Sequence, residues 1–121
     1  MKKTVIIGAS TNPGRYAQIA GRMLKEYEHP IIPLGLKEGE VNGEAILNIQ
    51  EKPAIPDVDT ITLYVSPKNQ KEWYGYLLSL NPKRIIFNPG TENQEFMELA
   101  KQKKIEAVLG CTLVMLRSGQ Y

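Results

Sequence analysis

The sequence predicts an α/β fold: one doubly wound parallel sheet of five strands, in the order 3-2-1-4-5, forming a single domain over residues 1–121. Three observations carry this expectation. Short β-branched runs alternate with stretches of helical periodicity. No two strand-like runs read as a tight hairpin, which leaves right-handed crossovers between parallel strands. A length of 121 residues leaves room for one domain, so a site must be built at the edge of one sheet.

The first strand is Thr4-Val5-Ile6-Ile7-Gly8, apolar on both faces and ended by glycine. Ala9-Ser10-Thr11-Asn12-Pro13 then supplies capping residues and a proline suited to a first helical turn. The helix that follows covers Pro13 to Glu28, with Tyr16, Ile19, Ala20, Met23, Leu24 and Tyr27 on one face. Gly21 within it costs about 1 kcal/mol relative to alanine, which close packing on the sheet explains. Pro30 to Gly35 reads as a second, short strand limited by its prolines. Leu36 to Pro56 is expected to be a loop-rich crossover, with Ala45 to Ile49 giving at most one helical turn or a small extended piece.

Thr60 to Val65 is the third strand, and Ser66-Pro67 opens a helix running to Leu80 with Trp73, Leu77 and Leu80 inward. Arg84 to Phe87 is the fourth strand, followed by the turn Asn88-Pro89-Gly90. Thr91 and Gln94 have the spacing of a capping box for a helix over Glu92 to Lys104. Ile105 to Leu109 is the fifth strand. Beyond Cys111, the apolar Leu113 to Leu116 covers the last helix or forms a contact between copies, which leaves a homo-oligomer open.

Composition narrows function. Hydrophobic residues make up 42% and charged residues 23%, as in ordinary folded domains. Lys and Arg number 15 against 13 Asp and Glu, a net charge of +2. That balance does not point to nucleic acid or a membrane surface and is compatible with an anionic small ligand. One cysteine excludes an internal disulfide, and with no signal peptide the cytoplasm is the default location. A single His and a single Cys cannot make a standard zinc site, and no metal ligands or catalytic residues are assigned.

The chemistry collects in the loops after strands one to four, which open on one edge of a parallel sheet. Gly8 allows a sharp turn, Ala9 and Ser10 let a ligand near the backbone, and the helix start offers free N–H groups to an anion. Arg15 opposes the helix dipole unless an anion is bound there; a solvated Arg in a plain turn is the other reading. The loop is neither G-x-G-x-x-G nor a P-loop. Strand two ends in Leu34-Gly35-Leu36-Lys37, with no carboxylate for an NAD ribose; Lys37 suits an extra phosphate or is simply solvated. His29 has no evident partner. Cys111 is either a buried, inert thiol or a reactive one.

The run Val5-Ile6-Ile7-Gly8-Ala9-Ser10-Thr11-Asn12-Pro13-Gly14-Arg15-Tyr16 resembles the opening of the small coenzyme A-binding domain proteins. The resemblance continues through Ile31-Ile32-Pro33, Val41-Asn42-Gly43, Asp59-Thr60, Ser66-Pro67, Asn88-Pro89-Gly90 and Cys111. The same Rossmann-like module is similar to the N-terminal part of the succinyl-CoA ligase alpha subunit. The resemblance implies a cofactor, coenzyme A or an acyl-CoA, over the C-terminal edge of the sheet. By position it implies that Gly8, Ala9, Ser10 and Arg15 hold the diphosphate and that Lys37 meets the phosphate at the adenosine end. Ser66-Pro67 and Asn88-Pro89-Gly90 would line the pantetheine path, with Cys111 near its far end. Thr11, Asn12, Tyr16 and Pro33 complete the candidate cofactor-binding set. The expected function is a non-catalytic binding or regulatory module. The alternatives are an NAD(P)-binding redox sensor or oxidoreductase, and a structural domain with an empty crevice.

Overall fold

The computed structural model describes residues 1–121. In chain order its elements are β1 (Thr4–Ile7), α1 (Tyr16–Glu26), β2 (Ile31–Gly35), β3 (Glu40–Val41), β4 (Glu44–Ala45), β5 (Leu47–Asn48), β6 (Thr60–Leu63), α2 (Tyr74–Ser79), β7 (Arg84–Phe87), α3 (Gln94–Gln102), β8 (Glu106–Leu109) and α4 (Thr112–Arg117). The strands β1, β6 and β7 are buried at every residue, which suits the centre of a sheet covered on both faces.

The main sheet is parallel throughout and Rossmann-like, but it has six strands in the order β5-β2-β1-β6-β7-β8. The expected order placed Thr60–Val65 beyond strand two. It pairs with β1 instead, and the outer place is taken by the two-residue strand β5, with Leu34 opposite Leu47. Counted along the main sheet, the order is therefore 3-2-1-4-5 with a sixth strand added. Pro33 is tolerated because Thr4 N–H bonds to the Pro30 carbonyl and Gly8 N–H to that of Leu34, so even-numbered residues of β2 face β1. The odd-numbered Pro33 faces outward, at a level where β5 has not yet begun.

A tight hairpin exists after all. Strands β3 and β4 pair antiparallel around Asn42 and Gly43, whose φ angles are 50° and 90°. Asn-Gly is the residue pair that such a turn requires. The signal passes unread because each flanking strand has only two residues and no alternation to display.

The side chains of β1 divide between two cores. Val5 and Ile7 join Ile61, Leu63, Ile85 and Phe87 under α2 and α3, whereas Ile6 joins Ile31 and Ile86 under α1 and α4. Helices on both faces give the doubly wound form. Gly21 allows α1 to lie close: a Cβ there would stand 2.3 Å from Val41 Cγ1. The tail Leu113–Leu116 is the helix α4, with Thr112, Leu113 and Leu116 buried and Val114 exposed. The stretch Pro67–Leu80 is not one helix but two 3-10 turns, Pro67–Asn69 and Lys71–Trp73, leading into the six-residue α2. Helix α3 is capped by Asn93, whose Oδ1 accepts from Phe96 N–H, and not by a Thr91–Gln94 box; Thr91 Oγ1 donates to the Asn88 carbonyl. No helix is long and apolar enough to cross a membrane.

Candidate functional site

The loops after β1, β2, β6 and β7 enclose a cleft of about 1060 Å³ at the C-terminal edge of the sheet. Its floor begins at Gly8, with φ 91°, where a Cβ would stand 2.9 Å from both the Tyr64 carbonyl oxygen and Val65 Cγ1. Only glycine lets β1 and β6 come together beneath the loop. Gly35 plays the same part at the end of β2, where a Cβ would lie 2.8 Å from the Ala9 carbonyl oxygen.

The loop from Ala9 to Arg15 is organised by its own side chains. Ser10 Oγ accepts from Asn12 N–H at 3.1 Å, Asn12 Oδ1 accepts from Gly14 N–H at 2.9 Å, and the Asn12 carbonyl accepts from Arg15 N–H at 3.0 Å. Gln18 steadies the loop from α1, its Nε2 donating to the Ser10 carbonyl at 2.7 Å. These bonds leave four amides without a partner in the protein, those of Ser10, Thr11, Tyr16 and Ala17, and all four residues line the cleft. Helix α1 opens here with no side chain capping it and no acidic residue in its first turn. Unbonded amides and the positive end of an 11-residue helix thus lie along one cleft, an arrangement suited to receiving an anion. Arg15 and Lys37 also line the cleft, and neither belongs to an ion pair.

Of the residues expected from sequence, Gly8, Ala9, Ser10, Thr11, Asn12, Arg15, Tyr16, Lys37, Ser66, Pro89 and Gly90 line this cleft. Four others stand outside its lining. Pro33 is buried in β2 opposite Ile6. Pro67 begins a 3-10 turn behind Ser66. Asn88 is buried and fully engaged: Nδ2 donates to Thr62 Oγ1 at 2.7 Å and to the Leu63 carbonyl at 2.8 Å, and Oδ1 accepts from Thr112 N–H at 2.9 Å. Cys111 precedes α4, half-buried against the α1–α4 core.

The cleft also contains residues that sequence reading assigned elsewhere. Trp73 packs against the core as expected, though from a 3-10 turn, and it also lines the cleft, as do Tyr64, Val65 and Thr91. For Tyr64, Val65 and Thr91 the signal available was their position shortly after strand ends; Trp73 lies too far along the chain to carry one. Burial pushes the Tyr64 phenol up to about 12, so it stays protonated. Its hydroxyl is buried without a hydrogen bond of normal geometry. His29 lies far from this site, at the opposite edge of the sheet, where Nδ1 accepts from Lys2 N–H at 2.9 Å.

Comparison with solved structures agrees with this architecture. The chain is 54% identical to an uncharacterised protein of known crystal structure, with a TM-score of 0.97 over 100% of this chain and 98% of that one. It is 20% identical to a Thermus thermophilus protein designated cell-free ID.343, TM-score 0.83, covering 99% of this chain and 90% of that one. It is 24% identical to a hypothetical protein from Pyrococcus horikoshii OT3, TM-score 0.83, covering 98% and 83%. At those identities the latter two likenesses show the fold. A comparison with curated proteins finds no match. Residues 2–117 match the CoA binding domain, and with its parallel sheet and open α1 terminus the chain belongs to that family.

Proposed function

We propose that this chain binds coenzyme A, free or acylated, as a binding or regulatory module with no turnover of its own. The observation that carries this reading is the set of four unbonded amides at the start of α1, joined by Arg15 and Lys37 in one cleft. A diphosphate offers the oxygens those amides need, and two cations offset its charge. Lys37, from the loop after β2, meets the phosphate at the adenosine end. Ser66, Pro89 and Gly90 line the route of the pantetheine arm across the ends of β6 and β7. The family match supports the ligand class.

Thermal unfolding tests this. Coenzyme A at a hundredfold excess over its Kd stabilises by about 2.7 kcal/mol and raises Tm accordingly. Dephospho-coenzyme A gives a smaller shift, and Lys37→Ala makes the two shifts equal. Equal shifts with the native protein would remove Lys37 from the site. A response to NAD(P) with none to coenzyme A would overturn the proposal.

A further inference from the structure

The two loops that flank the pantetheine route are joined from below by one side chain. Gln70, at 0% exposure, lies between the two 3-10 turns that follow β6. Its Nε2 donates to the Val65 carbonyl at 2.9 Å and to the Thr91 carbonyl at 2.8 Å. Val65 belongs to the loop after β6 and Thr91 to the loop after β7, and both line the cleft. The amide cannot turn over. Its Oε1 accepts from Asn93 Nδ2 at 3.0 Å, and that same Nδ2 also donates to Tyr74 Oη at 2.7 Å. Asn93 in turn is held by capping α3. Every polar atom of Gln70 is therefore engaged, and a flipped amide would set its oxygen against two carbonyl oxygens.

We infer that Gln70 is a positioning residue of the cleft: it holds the β6 and β7 loops at the spacing that the pantetheine arm needs. The inference rests on the coenzyme A reading and deepens it, because the gap lies on the proposed pantetheine route. Gln70 touches no ligand. Its Nε2 holds the Val65 and Thr91 carbonyls, and its Oε1 takes the Asn93 donor, so two side-chain hydrogen bonds between these loops run through Gln70. The diphosphate site at α1 is organised separately, by Ser10, Asn12 and Gln18. The two halves of the ligand should therefore respond differently to the loss of Gln70.

Calorimetry with two probes reads this out: coenzyme A, and its nucleotide half, adenosine 3′-phosphate 5′-diphosphate. The ratio of their Kd values measures what the pantetheine arm adds. In Gln70→Met, which keeps the length and removes both donors, the ratio falls to near one while the Kd of the nucleotide half is unchanged. General destabilisation lowers Tm but leaves the ratio alone. If Gln70→Met does not fold, Asn93→Asp decides: it keeps the α3 cap and removes the donor that orients Gln70, and the ratio again falls. An unchanged ratio in the folded variant, or equal weakening of both probes, overturns the role of Gln70. A ratio of one in the native protein overturns it too, with the nucleotide site still standing. Native protein that binds neither probe overturns the coenzyme A reading itself.

Discussion

At the scale of single residues, the site depends on small side chains and on side chains that serve the backbone. Ser10 and Asn12 were expected as ligand contacts, and in the structure their oxygens also accept from N–H groups of their own loop. Their effect is to shape the loop so that other amides stay free. Gly8 is the stricter requirement. With φ at 91° and two neighbours 2.9 Å from a would-be Cβ, alanine there forces β1 away from β6. Gly8→Ala is expected to destabilise the fold by about 1–3 kcal/mol, the cost of a strained backbone position. It should also weaken coenzyme A binding; urea unfolding and calorimetry on the same variant measure the two effects.

At the scale of elements, local capping signals decided less than the environment did. Proline at the head of a helix was read at Pro13 and at Pro67. Helix α1 starts three residues later than Pro13, because the intervening residues turn to form the anion loop. After Pro67 the chain makes 3-10 turns so that Gln70 can reach two loops at once. The cap of α3 is Asn93, which also donates to Gln70 and Tyr74. Asn93→Ala should therefore cost more than the about 1 kcal/mol of an ordinary cap. Chemical unfolding checks this, and Asn93→Asp, which keeps the cap, should fall between the two.

At the scale of the whole molecule, the two edges of the sheet are built for different tasks. The C-terminal edge leaves backbone amides free along its cleft, whereas the N-terminal edge packs a polar and aromatic cluster, in which Arg84 Nη2 alone is buried without a hydrogen bond. There Arg84 Nε donates to Thr60 Oγ1 at 2.7 Å, and its guanidinium lies 4.3 Å from the Tyr121 ring. The Tyr121 hydroxyl bonds to Thr4, and His29 packs 4.8 Å from the same ring. His29 is held below its usual 6.5 by burial first, then by the amino group of Met1, Lys2 and Arg84; Asp59 opposes them. The neutral ring is the form that accepts from Lys2 N–H. The unfolded chain therefore binds a proton more readily than the fold, so this contribution is full above the ordinary histidine range and is lost as pH falls through it. The expected outcome is a Tm that falls as pH drops through and below the ordinary histidine range, and a flatter profile for His29→Asn. An identical slope in the variant would assign the pH response to other groups.

The sequence by itself determined the class of fold and the chemistry of the first loop. Buried β-branched runs and helical periodicity are local signals, and Gly8 through Arg15 are contiguous, so the residues of the anion site meet wherever the chain places them. The coenzyme A family was legible in the same run. Only the tertiary structure decided that Thr60–Leu63 lies beside β1, that Leu47–Asn48 forms the outer strand, and that Asn88 is tied to Thr62, Leu63 and Thr112 within the core. It also brought Trp73, Tyr64 and Thr91 to the cleft and set Gln70 beneath it. The physical reason is that these outcomes are pairings between distant segments. Each is chosen by competition among partners for buried hydrogen bonds and apolar area, and no residue states the result of that competition in its own neighbourhood of the chain.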